Sequence, residues 1–264
     1  MRYRQANIPN KRGGRGPDLP DFDALAPPMF CDPTIFTAKD KDEREVCNCV
    51  LALALAYNDL KDCYFAHDSL HNLPRFHSQQ GVGLSSAEGQ KAGMLWHSQR
   101  LLWSTLHELL NILDKNKGVW RHKIFLATLA RTPRRVREDW RFLVDPAGQA
   151  PSVPHARLRS FLAKVRNNSG FHYHRAEAIG EGYEHYFDGH IQEALVPLAS
   201  IGASMRETRF YFAEAGAEGL IEKWGVKDFK DAVYDAKLAI DRVMIALVRE
   251  FVVGRGGEWK YLKP

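Results

Sequence analysis

The stretch FKDAVYDAKLAIDRVMIALVREFVVG, Phe229 to Gly254, decides the fold. Its apolar residues Phe229, Val233, Ala236, Ile240, Val243, Leu247 and Phe251 step by three or four, the spacing that lines one face of an α-helix. Gly254 follows as a C-terminal stop. Four segments nearer the N-terminus carry the same period. Leu158, Phe161, Leu162 and Val165 recur at i, i+3, i+4 and i+7 after Pro154, and Ile124 to Leu129 is a shorter element closed at Thr132-Pro133. Leu95, Leu102, Leu106, Leu109 and Leu113 follow Ser86 and Glu88. Val46, Val50, Leu53, Tyr57, Leu60 and Tyr64 begin after Asp40, with Ala52, Ala54 and Ala56 permitting close helix contact. These segments, with no run of alternating strands, predict an all-α bundle of about five main helices. Thr208 to Phe212 reads as a short strand, and Gly180 to Gly189 as loop.

The first 38 residues are rich in Pro, Gly and Arg and show no period, so they bury too little apolar surface to offset the entropy of ordering. They are expected to form a disordered or loosely docked arm ahead of a single helical domain, residues 39–264. Across 264 residues, 45% hydrophobic side chains with 6 Trp, 9 Tyr and 14 Phe are enough to fill a core without staples. Cys31, Cys47, Cys49 and Cys63 lack the spacing of a disulfide framework or a zinc site and read as small hydrophobes in a reducing compartment. The opening residues hold no apolar run for a signal peptide, and Val50 to Tyr57 is too short to cross a bilayer, so a cytoplasmic protein with no membrane partner is expected. A net charge of +5 permits an anionic partner without requiring one.

The chemistry concentrates in FLAKVRNNSGFHYH, Phe161 to His174. Arg166, Asn167, His172 and His174 crowd the place where an amphipathic helix reaches a glycine. Val165 closes the apolar stripe, which puts Arg166 at its edge. On an unbroken helix His172 points about 120° away from Arg166. Convergence therefore needs a bend, expected at Ser169-Gly170, or a second copy of the chain across a two-fold axis. A purely structural role, with Arg166 and Asn167 capping helix carbonyls, competes with any catalytic one.

Arg166-Asn167, five residues between Arg166 and His172, and the flanking Phe171-His172-Tyr173 resemble the motif of the HEPN superfamily. The resemblance implies an α-helical, metal-independent endoribonuclease acting as a homodimer on RNA, with no cofactor and with room for a protein regulator. It implies His172 as general acid or base, Arg166 as a phosphate clamp, Asn167 as an orienting amide, and 2′,3′-cyclic phosphate products. An imidazole titrates near neutral pH and a guanidinium grips phosphate oxygens, as that chemistry requires. His174 stands where one branch of the superfamily carries Tyr and adds a spare ionisable group.

A second candidate surface is basic: Arg121, Lys123, Arg131, Arg134, Arg135, Arg137 and Arg141, flanked by Trp120 and Trp140. RNA phosphates are one expected partner, chiefly for Arg131, Arg134, Arg135 and Arg137, and a solvated helical face is the other. His67 and His71 lie one turn apart but lack a third ligand, so no metal is expected. His185 and His190 read as loop residues, and Tyr183, Tyr186 and Phe187 as pins for that loop.

Overall fold

The computed structural model describes residues 29–73, 86–144, 153–170, 176–188, 199–205 and 208–261. The protein is all-α, with eight α-helices among the described residues rather than five. In order they are α1 (Lys41–His71), α2 (Ser86–Lys115), α3 (Lys123–Arg131), α4 (Arg134–Val144), α5 (Val153–Val165), α6 (Ala176–Asp188), α7 (Tyr211–Lys223) and α8 (Lys230–Gly254). A π-helical turn, Arg166–Gly170, extends α5.

Four of the five expected stripes face inward, and in the fifth element, α3, Phe125 is buried while Leu126 is exposed. Val46, Val50, Leu53 and Leu60 of α1, Leu102, Leu106, Leu109 and Leu113 of α2, and Leu158, Phe161, Leu162 and Val165 of α5 are buried in one core. Ala236, Ile240, Val243, Leu247 and Phe251 of α8 complete it. Helix α1 starts where Asp40 accepts the Glu43 backbone N–H at 3.0 Å, which satisfies one of the donors orphaned at a helix start. The same bond holds the Asp40 carboxyl below its usual range.

The three additional helices have separate causes. Helix α4 is the basic stretch itself: Val136, Trp140 and Leu143 are buried at i, i+4 and i+7 while most of its arginines face outward. Its buried Asp139 receives Arg242 of α8 in a two-pronged pair at 2.6 and 2.9 Å. Helix α6 occupies the segment expected as loop, and α7 begins at Tyr211, so the strand expected over Thr208 to Phe212 is only Arg209–Phe210. This strand, β3, pairs antiparallel with β2 (Ala199–Ser200).

Helices α6 and α7 pack through glycine. A Cβ on Gly182 would stand 2.0 Å from the Gly216 carbonyl oxygen, and one on Gly219 would stand 2.0 Å from that of Gly182. Their backbones touch where side chains ordinarily keep helices apart.

Residues 1–28 of the expected arm lie outside the described residues, and 29–38 lie against the bundle. Strand β1 (Met29–Phe30) pairs antiparallel with β4 (Lys260–Tyr261), Ile35 is buried, and Phe36 stacks on Phe251 at 5.8 Å. Gly254 is the last residue of α8, and the left-handed turn after it falls at Gly256 (φ 79°). Gly254 is small for another reason: a Cβ there would meet the Arg131 guanidinium at 1.6 Å.

Candidate functional site

The π turn at the end of α5 builds the site. Val165 is fully buried, and over Arg166–Gly170, the stretch that contains Ser169-Gly170, the α pattern gives way to a π turn. The side chains of Asn168 and Ser169 turn back onto the carbonyls of Lys164 and Val165, at 2.8 and 3.1 Å. Such back-bonding supplies donors to carbonyls at a distorted helix end. Both residues are buried, which anchors the turn and leaves Arg166 and Asn167 toward its outer side.

Arg166 meets α2. Its Nε donates to Glu108 Oε1 at 2.9 Å and a terminal nitrogen donates to Asn167 Oδ1 at 3.0 Å. The Arg166 side chain is 33% exposed and that of Glu108 47%, so the pair sits at a wet seam rather than inside the bundle. The seam continues along both helices. Arg159, two turns before Arg166, ion-pairs Asp114 and donates to the carbonyls of Leu110 and Leu143 at 3.3 and 3.1 Å. His107 of α2 feels the charges of both pairs. The Asn111 side-chain amide lies within hydrogen-bond distance of His107 Nε2, at 3.0 Å. Burial pushes His107 below the usual imidazole range; Glu108 pulls upward, while Arg166 and Arg159 push it further down.

Of the expected motif residues, the structure thus describes Arg166 and Asn167 and brings them into contact. His172 and His174 lie outside the described residues, as do Phe171, Tyr173 and His190. His107, Glu108, Asn111 and Asp114 are site residues that the motif did not point to. Their signal in the sequence is a polar row at 107, 111 and 114, beside the apolar row of α2 and at the same helical spacing.

The basic surface is largely tied down. Arg131 donates to the Glu250 carbonyl at 2.9 Å and pairs with the Glu250 carboxylate at 3.7 Å. Arg137 reaches the carbonyls of Ala130 and Thr132, capping the end of α3. Arg134 pairs with Glu138 at 2.8 Å and Arg135 with Asp139 at 3.8 Å, the usual spacing of surface pairs on one helix face. Trp120 and Trp140 are buried and meet edge to face at 5.5 Å, with the Trp120 indole N–H on the Leu113 carbonyl. They are core, not stacking platforms.

The remaining candidates have structural partners. His67 Nδ1 lies 3.0 Å from Ser98 Oγ and its ring stacks on His71. Among the described residues no group of three His, Cys, Asp or Glu side chains converges. Cys47 and Cys49 are buried thiols whose burial pushes their ionisation up, and Cys31 and Cys63 are half-buried and also free. His185 is on helix α6 rather than in a loop, as are Tyr183, Tyr186 and Phe187, whose rings pack on one another at 4.5 and 5.3 Å. Glycine in that segment permits close helix packing instead of breaking the helix, which corrects the loop expectation. Among the described residues no helix is long and apolar enough to cross a membrane.

No protein-family description matches this chain, and no curated protein or solved structure matches it either.

Proposed function

We propose that the protein is a metal-independent endoribonuclease of HEPN type, working in the reducing cytoplasm, with Arg166 as the clamp on the scissile phosphate and His172 as the acid or base. One observation carries the reading: Arg166 leaves the helix at a π turn, remains one-third exposed, and has its guanidinium plane set by Glu108 and Asn167. A cation already oriented costs little reorganisation when charge builds on a phosphate oxygen. π turns recur at functional sites because they aim a side chain that a regular helix would carry past. The RNA 2′-hydroxyl attacks the adjacent phosphorus, forming a 2′,3′-cyclic phosphate and breaking the bond to the 5′-oxygen. One histidine accepts the hydroxyl proton and another donates to the leaving oxygen. Two copies of the chain, joined as a homodimer, would supply paired motifs.

A second reading rests on the same ion pair. Arg166 and Glu108 together are neutral and staple the π turn to α2, so the segment would stabilise a helical interaction module. Cleavage of total RNA by the full chain in EDTA separates the two. The nuclease reading expects fragments from the wild type and a loss of about 100-fold or more in rate for Arg166→Ala and for His172→Ala, the scale of removing a general acid or a charge-stabilising donor. Melting temperatures near wild type would accompany those losses. His107→Gln tests whether the neutral imidazole on α2 shares the proton transfer. Absence of cleavage by all forms, with Arg166→Ala markedly less stable, is the result expected of the staple.

A further inference from the structure

On another face of α2, a cleft of about 210 Å³ opens between α1, α2, Phe161 of α5 and the start of α8. Aromatic rings form its wall: Trp103 meets Phe161 edge-on at 5.5 Å, and Phe161 stacks on Phe229 at 4.8 Å. Two cations stand at its border. Lys230 is the first residue of α8, and Lys237 lies two turns further along, with its Nζ 3.1 Å from the centroid of the Tyr64 ring. Among the described residues neither lysine has a carboxylate within ion-pair distance. Helix α8 also starts without a side-chain cap, because Phe229 occupies that position. Asp231 in the first turn of α8 offsets the partial positive charge of that helix start, so the cations at the border of the cleft are the two lysines alone.

Each feature selects a property of the ligand. The rings favour a flat apolar body that offers edges and faces to theirs. The two ammonium groups, Lys230 exposed and Lys237 half-buried over Tyr64, favour an anion by charge attraction. The volume sets the size: an apolar cavity of roughly 150 Å³ holds a benzene, and drug-sized ligands need about 300 Å³ or more. We propose that this cleft binds a small aromatic carboxylate, with its ring against Trp103, Phe161 and Phe229 and its carboxylate between Lys230 and Lys237. The proposal stands apart from the ribonuclease reading, since it uses neither Arg166 nor the histidines.

Calorimetric titration of the full chain with phenylacetate and with its neutral isostere phenylacetamide tests it. The acid is expected to bind about tenfold tighter than the amide, the scale of one charge pair at a protein surface. In the Lys230→Gln/Lys237→Gln double variant that preference should vanish while the melting temperature holds. Val233→Trp, which fills the mouth from α8, should remove binding of both compounds. Equal affinity for acid and amide, no saturable binding of either, or an unchanged preference in the double variant would overturn the proposal.

Discussion

At Arg166 the apolar stripe of α5 ends, and the next four residues decide where its guanidinium goes. Buried Asn168 and Ser169 hold the π turn by their own carbonyl contacts, Asn167 takes one guanidinium nitrogen, and Glu108 takes another. The edge position of Arg166 was legible in the sequence because Val165 is the last member of a regular stripe. Glu108 and His107 were not, because they are 58 and 59 residues away along the chain and nothing local marks them as partners. His107 carries a measurable consequence. Its folded-state proton affinity is lowered, by burial first and by Arg166 and Arg159 against the pull of Glu108. The unfolded chain therefore binds a proton near pH 6.5 that the folded chain resists, so stability is complete above that pH and falls as pH drops through the folded value. His67 and His97, also lowered by burial, act in the same sense. In His107→Gln the fall in urea midpoint between about pH 7.5 and 5.5 should be shallower than in the wild type. An identical fall in both proteins would remove His107 from this account.

Among the elements, the five with long apolar stripes were readable, since burial of one face is what makes a helix of ordinary propensity stable. Helix α4 hid behind its arginines: only three apolar positions, Val136, Trp140 and Leu143, define its buried side, and Asp139 is paid for by Arg242 across the interface. Helices α6 and α7 hid behind their glycines. Isolated glycine weakens a helix by about 1 kcal/mol relative to Ala, which is why the segment reads as loop. Here the lost propensity is exchanged for backbone contact between Gly182, Gly216 and Gly219. This predicts opposite signs for one chemical change. Gly180→Ala, with nothing within 4 Å of the new methyl group, should raise stability by about 0.5–1 kcal/mol. Gly219→Ala, whose methyl meets the Gly182 carbonyl, should lower it by about 1–3 kcal/mol through overpacking. Denaturant melts of the two variants check this, and stabilisation by both would mean that the helices do not touch there.

For the whole molecule, the seams that join helices are as informative as the core. One runs between α2 and α5 through Arg166–Glu108 and Arg159–Asp114. A second joins α2 to the start of α7, where Gly93 leaves space for the Arg209 guanidinium and Glu214 lies between Arg209, at 2.6 Å, and buried Arg100, at 3.8 Å. Buried Arg100 and half-buried Arg209 share that carboxylate, and a buried guanidinium requires a counter-charge, so the second seam is structural. The first is wetter and reaches the π turn that follows α5, which is why it is the seam to which we assign chemistry. The net charge of +5 follows the same division: Arg131, Arg134, Arg135 and Arg137 are engaged within the chain, so the overall charge does not locate a binding face. The most direct test is end-group analysis of RNA incubated with the wild-type full chain in EDTA. Fragments ending in 2′,3′-cyclic phosphate, and none from a 2′-O-methylated copy of the same RNA, are the predicted result. Intact RNA, or fragments with 3′-hydroxyl and 5′-phosphate ends, would contradict it.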